Sequence, residues 1–138
     1  MKTLQVECRC GAVGVEVVGG PVAQFFCHCD DCQAMHGAAY VPESVYPAQA
    51  VRVTRGAPST FTLKRNPRIA CPACGTRLFV DVLAFGVRGV NGYVLPTAEF
   101  SATFHMHCRF AVRPVRDDLP HYAGLPARFG GSDDTVDW

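Results

Sequence analysis

With 138 residues, 49% of them hydrophobic and 18% charged, the chain suits one folded globule rather than a disordered segment. The formal net charge is +1. The basic side chains Arg52, Arg55, Lys64, Arg65, Arg68, Arg77, Arg113 and Arg116 are scattered, which argues against a nucleic-acid surface, where such charge gathers on one face.

In chain order, the N-terminus MKTLQVEC has one lysine and then alternates, so no secretion signal is expected. A cytoplasmic location with reduced thiols is the corresponding expectation. Residues 3–7 (TLQVE) and 12–18 (AVGVEVV) alternate apolar with polar or small residues, which predicts a hairpin. The longest apolar stretch, Cys10 to Cys27, is broken by Glu16, Gln24 and several glycines, so no membrane span is expected. A short helix is predicted from Asp30 to about Met35, with Asp30 as its cap, and a brief turn from Ser44 to Tyr46.

Further strands are predicted near 24–28, 39–41, 50–54, 59–63, 77–82, 87–90, 92–95 and 103–112, rich in Val, Phe and Thr. Lys64-Arg65, with Arg68 nearby, reads as a solvated loop, and Asn91-Gly92 as a hairpin turn. Ten prolines and thirteen glycines punctuate these segments, so the class is mainly β, built of short antiparallel strands with one or two short helical turns. Residues 1–127 are read as a single domain. Residues 128–138, RFGGSDDTVDW, form an acidic, glycine-containing tail expected to be loosely held, although Trp138 could dock on a neighbour or subunit.

The eight cysteines carry the chemistry. They fall into CRC at 8–10, CHCDDC at 27–32 and CPAC at 71–74, with Cys108 left over. Close pairs of soft thiolates suit a shared metal better than mutual disulfides, because two ligands from one turn lower the entropy of assembling four. Gly11 and Gly75 each follow the second cysteine of a pair, where a tight turn needs positive φ. Such turns aim backbone N–H groups at sulfur. The two knuckles are therefore paired: Cys8, Cys10, Cys71 and Cys74 are read as a closed structural zinc site. Cys27, Cys29 and Cys32 supply three further thiolates, the pattern of a reactive zinc whose fourth position takes water or substrate. The alternative is closure by a fourth protein ligand, from Cys108, His36, His28, His105 or His107. Two zinc ions per chain are expected.

CRCGAVGVEV, CHCDDCQAMHGAAY and CPACGTRLF, in this order and spacing, resemble the glutathione-dependent formaldehyde-activating enzyme family, which includes centromere protein V. The resemblance covers roughly residues 4–110. It implies a zinc-bound β-tent related to methionine-R-sulfoxide reductases, with the outer knuckles sharing the structural zinc and Cys27, Cys29 and Cys32 forming the catalytic zinc site. The implied activity is that of a carbon–sulfur lyase: glutathione and formaldehyde, a thiol and a small aldehyde, join as S-hydroxymethylglutathione. Asp30, Asp31 and His36 are candidates to move the proton. Many members carry a Pro-Trp pair after a histidine in the last core strand, where this chain reads HMHCRFAVRPV. Two other readings stand beside the enzyme: a non-catalytic zinc-stabilised binding module, and a thiol redox enzyme using Cys108, its pKa lowered by Arg109.

Overall fold

Alternation places Val15 and Val17 of β2 (Gly14–Val18) on the buried face, with Glu16 turned outward, and Val6 of β1 (Thr3–Glu7) beside them. The two strands pair antiparallel, Thr3 opposite Val18 and Glu7 opposite Gly14, as the pattern predicted. The computed structural model describes residues 1–138. It is mainly β, with one seven-residue α-helix and several single 3₁₀ turns. No helix is long and apolar enough to cross a membrane.

The chain forms two compact units, Met1–Ala23 with Ser44–Phe100, and Gln24–Glu43 with Ser101–Trp138. β4 (Val41–Pro47) carries the chain from the second into the first.

In the first unit, β5 (Val51–Arg55) joins β2. The strands β6 (Ser59–Leu63), β7 (Asn66–Ala70), β8 (Arg77–Val82) and β9 (Val87–Asn91) make an antiparallel meander. Its core is Val6, Val13, Val15, Val17, Tyr46, Val51, Ile69, Leu78, Phe79, Val90 and Leu95, with Cys8 and Cys71 among them. Two knuckle cysteines thus sit at the edge of an apolar interior, where a metal cross-link would staple the strands it joins.

In the second unit, β3 (Ala23–Cys27) leads into α1 (Asp30–His36), and β10 (His105–Met106) runs parallel to β3. Phe25 stacks on Phe104 with ring centroids 5.0 Å apart, and Phe129 packs on both at 6.1 and 6.0 Å. The last residues are therefore pinned rather than loose. Asp134 O accepts from Ala123 N–H, and Val136 N–H donates to His121 O.

Four local expectations fail for identifiable reasons. Ser44 to Tyr46 is strand, not turn: the Ser44 hydroxyl reaches the Tyr46 hydroxyl at 2.9 Å across one strand face. The chain does not make a hairpin at Asn91-Gly92, because Asn91 Oδ1 accepts from Tyr93 N–H and caps a 3₁₀ turn over Gly92–Val94. The strand read over 103–112 shrinks to two residues, since His107 takes a left-handed φ of 55° and opens a turn at Cys108–Phe110. β7 went unread because Arg68 and Pro67 masked it. Lys64, at a φ of 63°, makes with Arg65 the tight turn of a β6–β7 hairpin.

Gly56 follows β5 with a φ of +81°, and a Cβ there would run into the Ala12 carbonyl oxygen. Gly56→Ala is expected to destabilise the protein by more than about 1 kcal/mol, seen as a lower urea midpoint with an unchanged slope.

Candidate metal centres

The two knuckles are built alike. Cys8 N–H donates to Val13 O and Gly11 N–H to Cys8 O; Cys71 N–H donates to Thr76 O and Gly75 N–H to Cys71 O. Each turn closes on its glycine, Gly11 at a φ of 81° and Gly75 at 79°, the left-handed region the sequence required. One knuckle links β1 to β2 and the other β7 to β8.

Their four sulfurs lie within 4.8 Å of one another, with Cys8 to Cys10 at 3.7 Å and Cys10 to Cys71 at 3.8 Å. Tetrahedral zinc with bonds of about 2.3 Å sets its sulfurs about 3.8 Å apart, so this set fits the ion. Val13 N–H donates to Cys8 Sγ at 3.2 Å. The Thr76 hydroxyl donates to Cys74 Sγ at 3.1 Å and accepts from Arg9 N–H at 3.1 Å, tying one knuckle to the other. Hydrogen bonds from the Thr76 hydroxyl and then its N–H pull the Cys74 thiol down to about 5. At Cys10 the Ala12 N–H works downward, but Cys74 and Cys8 alongside push the thiol up to about 11. Crowded sulfurs do not ionise together without a cation among them.

Cys27, Cys29 and Cys32 form the second group, again with all sulfurs within 4.8 Å. Cys27 ends β3. Cys29, not Asp30, caps α1: its sulfur accepts from Cys32 N–H at 3.2 Å. Asp30 is the first helical residue, and its Oδ1 accepts from Asp31 N–H. Cysteine wins the cap because β3 delivers it extended, at φ −62° and ψ 149°, with the sulfur already over the first turn. Hydrogen bonds from the Cys27 and Cys32 thiols draw Cys29 down to about 2. Cys27 is pushed well up by its bonds to Cys29 and Cys32 and by burial. Cys32 is also pushed up: its bond with Cys27 works downward, but Cys29, burial and the Glu43 carboxylate outweigh it.

Of the other candidate ligands, His36, His28 and His105 have hydrogen-bond partners of their own. His36 Nδ1–H donates to Cys32 O. His28 and His105 meet at 2.9 Å between Nε2 and Nδ1. His107 lies near enough to Cys29 to feel its charge, yet burial holds its imidazole below the usual range. Cys108 is buried, and burial, then Asp117, push its thiol up to about 12. Arg109 does not activate it: its Nε–H donates to Ala123 O and its guanidinium lies over Phe110.

Two groups escaped the sequence reading. Glu43 is a buried carboxylate whose charge reaches Cys32; its only signal was an acidic residue inside the apolar run VPESVYP. Asp117 and His121 join His105 in a third cluster, signalled only by the Asp-to-His spacing in DDLPH.

The sequence pattern described as "Glutathione-dependent formaldehyde-activating enzyme" matches residues 3–111. The chain belongs to this family. No curated protein matches it. Among solved structures, a Rhodobacter sphaeroides protein from structural genomics is similar at 24% identity and a TM-score of 0.56, covering 68% of this chain and 89% of that one. That likeness concerns the fold. Family membership links the chain to glutathione and formaldehyde chemistry and to metal-binding cysteine groups.

Thr76 serves both knuckles through one hydroxyl. Thr76→Val is expected to weaken metal retention by about ten- to a hundredfold, measured as faster loss of one metal equivalent to a chelator.

Proposed function

We propose that this protein is a zinc-dependent carbon–sulfur lyase that joins glutathione to formaldehyde, or releases them, at Cys27, Cys29 and Cys32, with a second, structural zinc held by Cys8, Cys10, Cys71 and Cys74. The observation that carries the reading is the difference between the two sulfur groups: four sulfurs in one and three in the other. Cys27, Cys29 and Cys32 would hold the zinc, which would supply the charge that lets a substrate thiol lose its proton more readily and become the better nucleophile.

The chain's own residues provide the frame. β3 and the first turn of α1 fix the three sulfurs, and Cys32 N–H locks Cys29 against the helix. Gln33 Nε2–H groups donate to His28 O at 2.7 Å and Phe110 O at 2.9 Å, bracing the helix against the Cys108–Phe110 turn. In the reaction the substrate sulfur attacks the aldehyde carbon. The carbon–sulfur bond forms, the carbonyl π pair moves to oxygen, and the thiol proton ends on that oxygen. Nothing is oxidised or reduced. Burial beside Cys32 singles out Glu43 to carry the proton, since Asp30 stands exposed and His36 is bonded to the helix backbone.

The test uses cobalt-substituted protein and the exchange of glutathione with its formaldehyde adduct, followed by NMR. Millimolar glutathione is expected to perturb the sulfur-to-cobalt bands, and the wild-type chain to accelerate exchange. Cys29→Ser should abolish both effects, and Glu43→Gln should slow exchange by about a hundredfold or more while keeping both metals. A cobalt spectrum indifferent to glutathione would remove the proposal.

Cys108→Ser separates this reading from a closed, non-catalytic site. Retention of both zinc equivalents is expected by metal analysis, whereas loss of one would make Cys108 the fourth ligand.

A further inference from the structure

The second unit assembles a cluster that cysteine chemistry does not use. His105 Nε2 lies 2.8 Å from Asp117 Oδ2, and His121 Nε2 lies 2.9 Å from Asp117 Oδ1. His105 is fully buried and His121 nearly so, while the Asp117 side chain is 34% exposed. Two imidazoles thus point their Nε2 atoms from the interior at one carboxylate that reaches the surface.

The hydrogen-bond directions are forced. A carboxylate only accepts, so His105 and His121 both donate Nε2–H to Asp117. His105 Nδ1 is then an acceptor and takes the Nε2–H of His28 at 2.9 Å. This leaves His28 Nδ1 as a bare lone pair, and it is buried with no hydrogen-bond partner. A fully buried imidazole with an orphaned nitrogen bears an uncompensated desolvation cost. The run therefore ends on an unsatisfied atom.

We propose that His105, Asp117 and His121 form a third metal site, taking a borderline divalent cation such as zinc, cobalt or nickel. Two imidazoles and a carboxylate are the donor set these ions prefer, and three protein ligands leave a position for water. Around an ion with bonds of about 2.0 Å, tetrahedral donors stand about 3.3 Å apart. The present spacings are a few tenths of an ångström shorter, so Asp117, whose side chain is 34% exposed and whose Oδ1 also accepts from Leu119 N–H at 3.1 Å, has to shift by that amount to take the ion.

His105 also has an outer partner in His28. A metal-bound histidine characteristically donates its other ring N–H to a neighbour. With a cation on Nε2, the His105 ring proton sits on Nδ1 and donates to His28 Nε2. The ring proton of His28 moves to Nδ1 in turn. Neither ring changes charge and no proton is released, because both imidazoles stay neutral.

Trp138 walls the cluster. Its ring centroid lies 4.8 Å from that of His121, 5.3 Å from His28 and 6.1 Å from His105. It is the chain's one tryptophan, so all tryptophan fluorescence arises beside this cluster, and the absence of a sulfur-to-cobalt band separates this site from the nearby cysteine trio. The tail that brings it here is held by Val136 N–H on His121 O and by a bridge of Thr135 to Tyr122.

The proposal stands apart from the reading of the cysteine sites, and its test distinguishes them. The full chain with its cysteine-bound metal retained is titrated with cobalt(II). The expected result is quenching of Trp138 together with weak visible bands and no added sulfur-to-cobalt charge transfer. Quenching should persist in Cys29→Ser. His121→Gln and Asp117→Asn should each weaken it by at least about tenfold, the lower end of what even an outer partner contributes. Absence of quenching in the wild-type chain overturns the site whatever the variants do. Quenching equally strong in both folded variants overturns it too, as does quenching that appears only with a sulfur charge-transfer band.

Discussion

Sulfur crowding is the constraint from which this structure follows. Four cysteine sulfurs are drawn to within 4.8 Å of one another at the knuckles between β1 and β2 and between β7 and β8. As thiols they gain little from such closeness, and as thiolates they repel. Only a cation makes the arrangement strongly favourable, and the observed separations of 3.7 and 3.8 Å are those of a zinc tetrahedron. Everything around the sulfurs serves the same end. The left-handed glycines close the turns, Val13 and Thr76 direct N–H and O–H groups at sulfur, and Arg9 binds one knuckle to the other. Cys8 and Cys71 belong at the same time to the apolar core of Val6, Val13 and Leu78, so the strands and the cross-link share one foundation.

The trio at Cys27, Cys29 and Cys32 obeys the same electrostatics with one ligand fewer. Without a cation, negative charge collects on Cys29, which accepts from its two neighbours and from the helix backbone, while Cys27 and Cys32 are pushed toward the neutral thiol. A divalent ion held there would remove that difference by favouring the thiolate at all three. The nearby carboxylate of Glu43 adds to the negative charge that such an ion would offset. In this respect the trio is the less satisfied of the two groups. Cys108, by contrast, is raised to about 12 by burial and Asp117, which suits an inert packing thiol better than a redox nucleophile.

Much of the fold was legible because its signals are local. Alternation in TLQVE and STFTL located β1 and β6 to the residue, and the knuckle glycines announced their positive φ. The failures came where a side chain intervened in the backbone's choice. Asn91 captured the Tyr93 N–H and turned the chain, His107 went left-handed and cut a strand short, and the Cys29 sulfur displaced Asp30 as the helix cap. None of these alters hydrophobic periodicity, which is the quantity a pattern reading measures.

By itself, then, the sequence determined the ligand chemistry: which cysteines sit in pairs and trios, and that the spacing of each group suits a metal. Those are properties of a few neighbouring residues, fixed by bond lengths and turn geometry. Only the tertiary structure decided what joins them from far along the chain. It brought Glu43 near Cys32, drew Arg109 away from Cys108, and gathered His28, His105, Asp117 and His121 beneath Trp138. The physical reason is that such contacts form through packing between segments that can lie more than a hundred residues apart, as His28 and Trp138 do, and a hydrogen bond or a buried charge leaves no periodic trace in the chain that will make it.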